Sequence, residues 1–299
     1  MNRRSFLYAL AGIAATLRAS GRVGAGPFIN ASVAVGYDQP GRAISDNFIG
    51  LSYESAVLAS PEHLSPANLS LIGFLRGLGP GGVLAPGAEP ILEEMRSISE
   101  SYGLPFRIAE TNSIFMEGQP GVSDAFGSAL WGVEFMFQVA KAGGEGITFH
   151  TGDAKAYTPI GPGLSGRQAA RPLYYGMLMF KEAARGAALL PARLAAPALN
   201  MAACATRAAD GTLKVCLINK DLERGARVGI DAGRHFESAS LLRLTAPSAE
   251  ARTDVTFGGS AVDNFGHWSP RPPKVFPWRS DSSVEVPAVS AVIVQLSSR

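Results

Sequence analysis

Between residues 48 and 187 short apolar runs alternate with longer stretches of helical period, and that alternation restricts this chain more than any other feature. Serial strand–helix units assemble as a parallel sheet with right-handed crossovers and helices on its faces. "FIGLSYE" (48–54) reads as a strand. A helix follows, with Ser65 as N-cap, Pro66 at the first helical position, and Leu71, Phe74, Leu75 and Leu78 at helical spacing. "GGVLAPG" (81–87) is a weaker second strand. "PILEEMRSISESYG" (90–103) is the next helix, with Leu92, Met95 and Ile98 on one side and Gly103 as its stop. "PFRIAET" (105–111) is the third strand, followed from about Ser123 by a helix in which Phe126, Leu130, Val133 and Phe137 recur on one face until Gly143 and Gly144. "GITFHTG" (146–152) is the fourth strand, and Pro172 opens a fourth helix, "PLYYGMLMFKEAARG". Four such units are half of an eightfold barrel.

Past about Ala187 the helical period disappears. "LNMAACAT", "TLKVCLIN", "ARVGID", "ASLLRLT", "TDVTFGG" and "SAVIVQL" are short strands separated by Gly, Pro, Asp and Asn, the pattern of an antiparallel sandwich. "PFINASVAV" (27–35) adds an early strand to that sheet system. The expected fold is therefore α/β plus all-β: an incomplete (β/α)8 (TIM) barrel of about four βα units with a C-terminal antiparallel β-sandwich. The segments are 26–44 for the early strand, 45–187 for the partial barrel and 188–299 for the sandwich.

Residues 1–25 stand apart. "NRRSFLYALAGIAATLRAS" pairs Arg3 and Arg4 ahead of Phe6, Leu7 and an apolar stretch, the pattern of a twin-arginine export signal, so a periplasmic or secreted location is expected. The apolar stretch falls short of the ~20 residues that span a bilayer. No membrane attachment is expected after cleavage near Ala25. Removal of Arg3, Arg4, Arg18 and Arg22 leaves 23 basic residues against 25 acidic, turning the formal charge of +2 into about −2. No basic patch with interleaved aromatics remains, so nucleic acid is not an expected partner. Cys204 and Cys216 flank a hairpin with Ala209, Asp210 and Gly211 at its turn, which sets the two thiols opposite each other. Export permits a disulfide; cross-strand strain and the frequency of buried strand cysteines favour two structural thiols.

Ligand sites in βα sheets lie at the carboxyl ends of the strands. Those ends offer Tyr53 and Glu54, then Glu110 and Asn112, then His150 with Asp153 and Tyr157 beyond it. Carboxylates, an amide, an imidazole and phenols suit a sugar, and a glycosidic bond needs a pair of carboxyl groups. His63, His150, His235 and His267 are too scattered for a metal site, "GLGPGG" lacks the Lys-Ser/Thr of a phosphate loop, and no serine-hydrolase motif is completed. No cofactor is expected.

"RIAETNS", "GVSDAFGSALWGVEFMF", "GITFHTGDAKAYTPI" and "RPLYYGMLMF", in that order, resemble the glycoside hydrolases of family 79, the β-glucuronidase and heparanase relatives. The resemblance implies a retaining glycosidase with a (β/α)8 barrel and an appended sandwich, and carbohydrate, including uronic-acid glycosides, as the partner. It puts Glu110 at the nucleophile position at the end of the seventh barrel strand. His150, Tyr157 and Asn112 fall in the region lining the sugar pocket, and Tyr53 and Glu54 in the first-strand loop; for Glu54 a solvated acid is an equal reading. The family's Asn-Glu-Pro motif, whose Glu is the acid/base, is absent, as is its Arg-x-Gly-Gly sequence. "GAEP" (87–90) is no substitute, because Glu89 precedes a helix and does not end a strand. Barrel strands three to six are thus expected to be missing. An unclosed barrel of this kind leaves bare strand edges and an apolar inner layer facing water, which would drive self-association through the open edge. Two functions follow: an exported glycosidase impaired by loss of its acid/base, or a non-catalytic carbohydrate-binding remnant.

Overall fold

The computed structural model describes residues 26–53, 89–114, 117–152, 155–162, 168–196 and 199–298. The expected export signal, the helix over 65–78, the strand over 81–87, Glu54, His63 and Asp153 lie outside the described residues.

Three parallel strands form the βα region. They are β2 (Ile49–Tyr53), β3 (Phe106–Thr111) and β4 (Gly144–Thr151), hydrogen-bonded in the order β2-β4-β3. Among the described residues the parallel sheet thus has three strands where four were expected, and no closed barrel is formed. Helix α1 (Glu89–Tyr102) precedes β3, α2 (Phe126–Lys141) crosses from β3 to β4, and α3 (Pro172–Ala184) follows β4. Between β4 and α3 a small antiparallel hairpin pairs β5 (Ile160–Pro162) with β6 (Gln168–Ala170). Gly103, at φ +62°, ends α1 in the left-handed conformation that costs glycine little. Helix α2 begins three residues later than the expected start at Ser123, because residues 120–125 form turns in which Ser123 Oγ accepts from Gln119 N.

The two faces of the arc differ in chemistry. Ile49, Leu51, Ile108, Ile147 and Phe149 turn one way, into a core shared with α2 and α3. Register partners in a parallel pair share a face, so Gly50 with Thr148, and Ser52 with His150, turn the other way. This inner face is small and polar, and Ser52, Thr148 and His150 are buried. The expectation of an apolar inner layer is corrected: the strands alternate apolar toward the helices and polar toward the interior. Helix α1 fits less closely. Leu92 is buried but Ile98 is 53% exposed, because β3 is the outer strand and no described element lies beyond it.

The remaining strands make two sheets. One has the order β15-β11-β1-β8, with β1 (Phe28–Val35), β8 (Ala192–Ala195), β11 (Gly225–Asp231) and β15 (Ser283–Val286). The other, hereafter the central sheet, has the order β13-β12-β16-β10-β9-β7, with β14 (Phe276–Pro277) pairing β12. Its members are β7 (Ala188–Leu190), β9 (Met201–Arg207), β10 (Leu213–Asn219), β12 (Ser238–Thr245), β13 (Thr256–Phe257) and β16 (Ser290–Ser297). The sandwich is not wholly antiparallel, a second correction. Strand β1 enters between β8 and β11 and runs parallel to β11 over Phe28–Ala34 while antiparallel to β8, since those neighbours run in opposite senses. The run "TDVTFGG" supplies only the two residues of β13.

The central sheet is covered on both faces. Val215, Leu217, Val292 and Val294 pack on Val33, Val228 and Val284 of the other sheet, whereas Cys216, Ile218, Leu244 and Ile293 pack toward α2 and α3. Burial on both sides is why "LKVCLIN" and "SAVIVQL" read as almost unbroken apolar runs. Cys204 and Cys216 are directly opposed, both buried free thiols. Burial pushes both thiols up from their ordinary pKa, and Lys141 Nζ donates to Cys204 Sγ at 3.4 Å.

Sandwich and helices also exchange hydrogen bonds. Phe126 N and Gly127 N, at the start of α2, donate to Ala251 O and Ala249 O at 2.8 and 2.9 Å. At the end of α3, Lys214 Nζ and Thr206 Oγ1 donate to Glu182 O and Ala183 O. These groups are among the four a helix leaves unsatisfied at each end. Arg252 pairs with the buried Asp124 at the same junction, but the arginine is exposed, which limits an ion pair to roughly 0–1 kcal/mol. The four hydrogen bonds to the helix ends, two from backbone and two from side chains of the sheet, at a net ~0.5–1.5 kcal/mol each, hold the junction more firmly.

Helices α2 and α3 touch at glycine. A Cβ on Gly176 would sit 2.4 Å from Ala129 O, and one on Gly132 would sit 2.6 Å from Leu173 Cδ1. Gly176→Ala is therefore expected to lower the unfolding free energy in urea by ~1–3 kcal/mol, because a backbone carbonyl cannot give way as a side chain can. Gly229→Ala, where nothing lies within 4 Å, should leave the same midpoint unchanged or slightly raised. Equal behaviour of the two variants would refute close contact at this crossing.

Candidate active site

Glu110 stands one residue before the end of β3, on the polar inner face of the arc. Its carboxylate is 37% exposed, and groups from both other strands meet it. Ser52 Oγ of β2 donates to Glu110 Oε2 at 3.3 Å. His150 Nδ1 of β4 lies 3.2 Å from Glu110 Oε1, close in distance but outside hydrogen-bond alignment. Ser52 and His150 are themselves register partners. Three strand ends thus converge on one carboxylate at the end of the sheet where βα folds place chemistry.

The face on which Glu110 lies is set by an irregularity in the ladder. Ile108 pairs with Ile147, but the next pair is Thr111 with Phe149, so β3 takes three steps where β4 takes two. Ala109 and Glu110 have no register partner. Had the ladder stayed regular, Glu110 would have stood opposite Phe149 and pointed into the helix-covered core. One extra residue turns the side chain to the other face. Thr148 Oγ1 donates to the Ala109 carbonyl, which the irregularity leaves outside the ladder.

Asn112 and Ser113 follow directly. Asn112 Nδ2 donates to His150 O at 3.2 Å and so clasps the end of β4. Asn112 Oδ1 and Ser113 Oγ are buried with no hydrogen-bond partner among the described residues. Tyr157 places its ring edge-on to the His150 imidazole, centroids 5.6 Å apart. Behind it Arg171 donates to Thr158 Oγ1 at 2.8 Å and to Lys155 O, tying the loop after β4 to the start of α3.

The residues singled out from sequence are therefore gathered in part. Glu110, His150 and Tyr157 form one cluster, with Asn112 acting on the backbone beside it. Tyr53 closes β2 in register with Thr151 of β4. Ser52 and Thr148 went unnamed in the sequence reading, although the alternation of Gly50 and Ser52 with Ile49 and Leu51, and of Gly146, Thr148 and His150 with Ile147 and Phe149, carried the signal. Among the described residues no group of His, Cys, Asp and Glu could hold a metal ion, and no helix is long and apolar enough to cross a membrane. A groove of about 670 Å³ opens elsewhere, lined by Val35, Lys141, Leu190, Arg193 and Asp231. It belongs to the sandwich and receives none of the groups converging at Glu110.

No family model matches the sequence. A β-glucuronidase of Aspergillus niger is 38% identical over 80 residues, 26% of this chain and 15% of that enzyme. A β-glucuronidase of Neurospora crassa is 40% identical over 58 residues, 19% of this chain and 10% of that enzyme. Among solved structures, a 4-O-α-L-rhamnosyl-β-D-glucuronidase from Fusarium oxysporum 12S superposes with a TM-score of 0.57 at 21% identity, covering 69% of this chain and 46% of that one. An α-L-arabinofuranosidase from Thermotoga maritima superposes at 0.52 with 12% identity, covering 83% and 57%. At such identities the superpositions speak to the fold alone: the neighbours are glycoside hydrolases of TIM-barrel type, and the described residues share the helices and strands of that arrangement without a closed barrel. The chain spans less than half the length of the first.

The unpartnered hydroxyl of Ser113 gives a stability test. Because its Oγ finds no partner among the described residues, Ser113→Ala is expected to remove a desolvated polar atom at no bonding cost, and urea unfolding should show stability unchanged or higher by about 1 kcal/mol. A loss above that size would mean that the hydroxyl is bonded in the folded protein.

Proposed function

We propose that the chain is an exported, glucuronidase-type glycoside hydrolase in which Glu110 is the attacking carboxylate and which has lost its proton donor. The observation that carries this reading is the convergence of Ser52 and His150, from the two other strands, on the carboxylate of Glu110. The local likeness to β-glucuronidases of A. niger and N. crassa supports the same class.

In a retaining mechanism a carboxylate attacks the anomeric carbon, the bond to the leaving oxygen breaks, and a covalent glycosyl ester forms that water then hydrolyses. The Ser52 hydroxyl donates to one oxygen of Glu110 and leaves the other oxygen near His150. An ordinary alcohol leaves only if a second carboxyl group, ~5 Å from the first, protonates it. The sequence has no Asn-Glu-Pro motif to supply that group. An activated aryl leaving group needs no such proton. Acidic sugars are accordingly the proposed substrates, cleaved well only with an aryl aglycone, and the proposed compartment is the periplasm or the exterior.

A 4-nitrophenyl or 2,4-dinitrophenyl β-D-glucuronide is the substrate to use. We expect release of the phenol by the wild-type chain, release at least ~100-fold slower from methyl or oligosaccharide glucuronides, and no activity in Glu110→Ala. Azide added to Glu110→Ala should restore phenol release, with an azido sugar of inverted configuration as product. Wild-type silence on aryl and natural glucuronides, with glucuronate still retarding the chain in affinity electrophoresis, would instead favour a non-catalytic binding protein.

A further inference from the structure

We propose that Thr148 is a positioning residue for Glu110: its hydroxyl fixes the extra residue in β3 that turns the carboxylate onto the face shared by Ser52 and His150. The inference rests on the reading of Glu110 as the attacking group, but its geometry stands without it.

The face of a strand residue is decided by parity. At Ile108 the two strands are in step, with Ile108 and Ile147 both turned toward the helices, and at Thr111 they are in step again with Phe149. Only the surplus residue between those points lets Glu110 share a face with His150, which is two residues on from Thr148. A surplus residue is left without a register partner, so the ladder no longer fixes it. Thr148 supplies another anchor, because its hydroxyl donates to Ala109 O. Thr148 is itself buried and on the inner face, in register with Gly50.

A second irregularity of opposite sense supports the view that the register is built for this end of the sheet. Phe106 pairs with Gly144 and Arg107 with Gly146, so β4 has the surplus residue there, Glu145. Arg107 anchors that step by donating to Glu145 O at 3.0 Å and to Asn47 O at 2.8 Å. A Cβ on Gly146 would lie 2.2 Å from the Arg107 guanidinium, so a larger residue there would displace that side chain from its crossing. The lower shift offsets the register by one residue, and the upper shift, within which Glu110 lies, restores the original offset.

The test compares Thr148→Val, which keeps shape and strand preference but deletes the hydroxyl, with Thr148→Ser, which keeps the hydroxyl. On an aryl glucuronide Thr148→Val is expected to lower kcat ~10–100-fold with KM changed less than ~2-fold, as a displacement of about 1 Å would do, and Thr148→Ser should recover most of the loss. A readout independent of turnover is the imidazole nitrogen resonance of His150, identified by its disappearance in His150→Asn. Glu110→Gln should move that resonance, Thr148→Val should move it in the same direction, and Thr148→Ser should leave it near the wild-type position. Far-UV circular dichroism and thermal melting show whether Thr148→Val is folded; if it is not, Thr148→Ser against Thr148→Ala carries the same comparison. Wild-type resonance and kcat in Thr148→Val would overturn the inference while leaving the proposed function intact. An inactive wild-type chain whose His150 resonance moves in Thr148→Val would leave the positioning role standing and remove the proposed reaction.

Discussion

Burial of the central sheet on both faces is the constraint from which the rest of the molecule follows. Its six principal strands are bonded in the order β13-β12-β16-β10-β9-β7, with one face against β1, β11 and β15 and the other against α2 and α3. A buried Val, Leu or Ile contributes ~1.5–3 kcal/mol, and this sheet holds such residues on both sides. The two helices in turn cover the apolar face of β2, β3 and β4. The arc bearing Glu110 therefore rests on the helices, and the helices rest on the sandwich. Both have chain ends tied down by groups of the sandwich: Phe126 and Gly127 by carbonyls of Ala251 and Ala249, and the last turn of α3 by Lys214 and Thr206. Among the described residues the arc is supported from behind, through α2 and α3.

How much of this was legible in the sequence depends on the kind of pattern each element leaves. Helices α2 and α3 were readable because a one-sided apolar stripe and Pro172 mark a helix locally. β10 and β16 were readable as unbroken apolar runs, and β9 from the hairpin that sets Cys204 against Cys216. Strands of two to four residues, such as β7, β8, β14 and β15, are too short to show any period. The parallel pairing of β1 with β11 joins residues about two hundred positions apart, and no local pattern encodes the sense of such a pairing. The polar inner face was not legible because each strand alone reads as a short apolar run, and Gly50, Ser52 and Thr148 form one face only once β2 and β4 pair.

The site was legible at Glu110, His150 and Tyr157, because strand-end carboxylate, imidazole and phenol are chemistry-bearing types wherever they fall. What holds the carboxylate in place was not legible. Strict alternation predicts that Glu110 shares a face with Ile108, which is buried against the helices. An extra residue in a ladder is a relation between two strands, and a single strand gives no sign of it. Ser52 and Thr148 are likewise ordinary residue types whose roles exist only once β2, β4 and β3 lie side by side.

The chemistry of the inner face also sets what stabilises the described strands. An apolar face left uncovered costs ~25 cal/mol for each Å². Here the residues turned inward are Gly50, Ser52, Thr148, His150 and Glu110, so that side presents little apolar surface. The cost shifts to hydrogen bonding, and most of it is met: Ser52 by Glu110, Thr148 by Ala109 O, the end of β4 by Asn112. Asn112 Oδ1 and Ser113 Oγ, two and three residues after Glu110, are among the buried side-chain atoms that find no partner among the described residues. Buried polar atoms left without partners lower stability and are expected where ligand hydroxyls replace water. The described arc thus holds where its polar groups satisfy one another, while the unpartnered Asn112 Oδ1 and Ser113 Oγ lie in the two residues that follow β3.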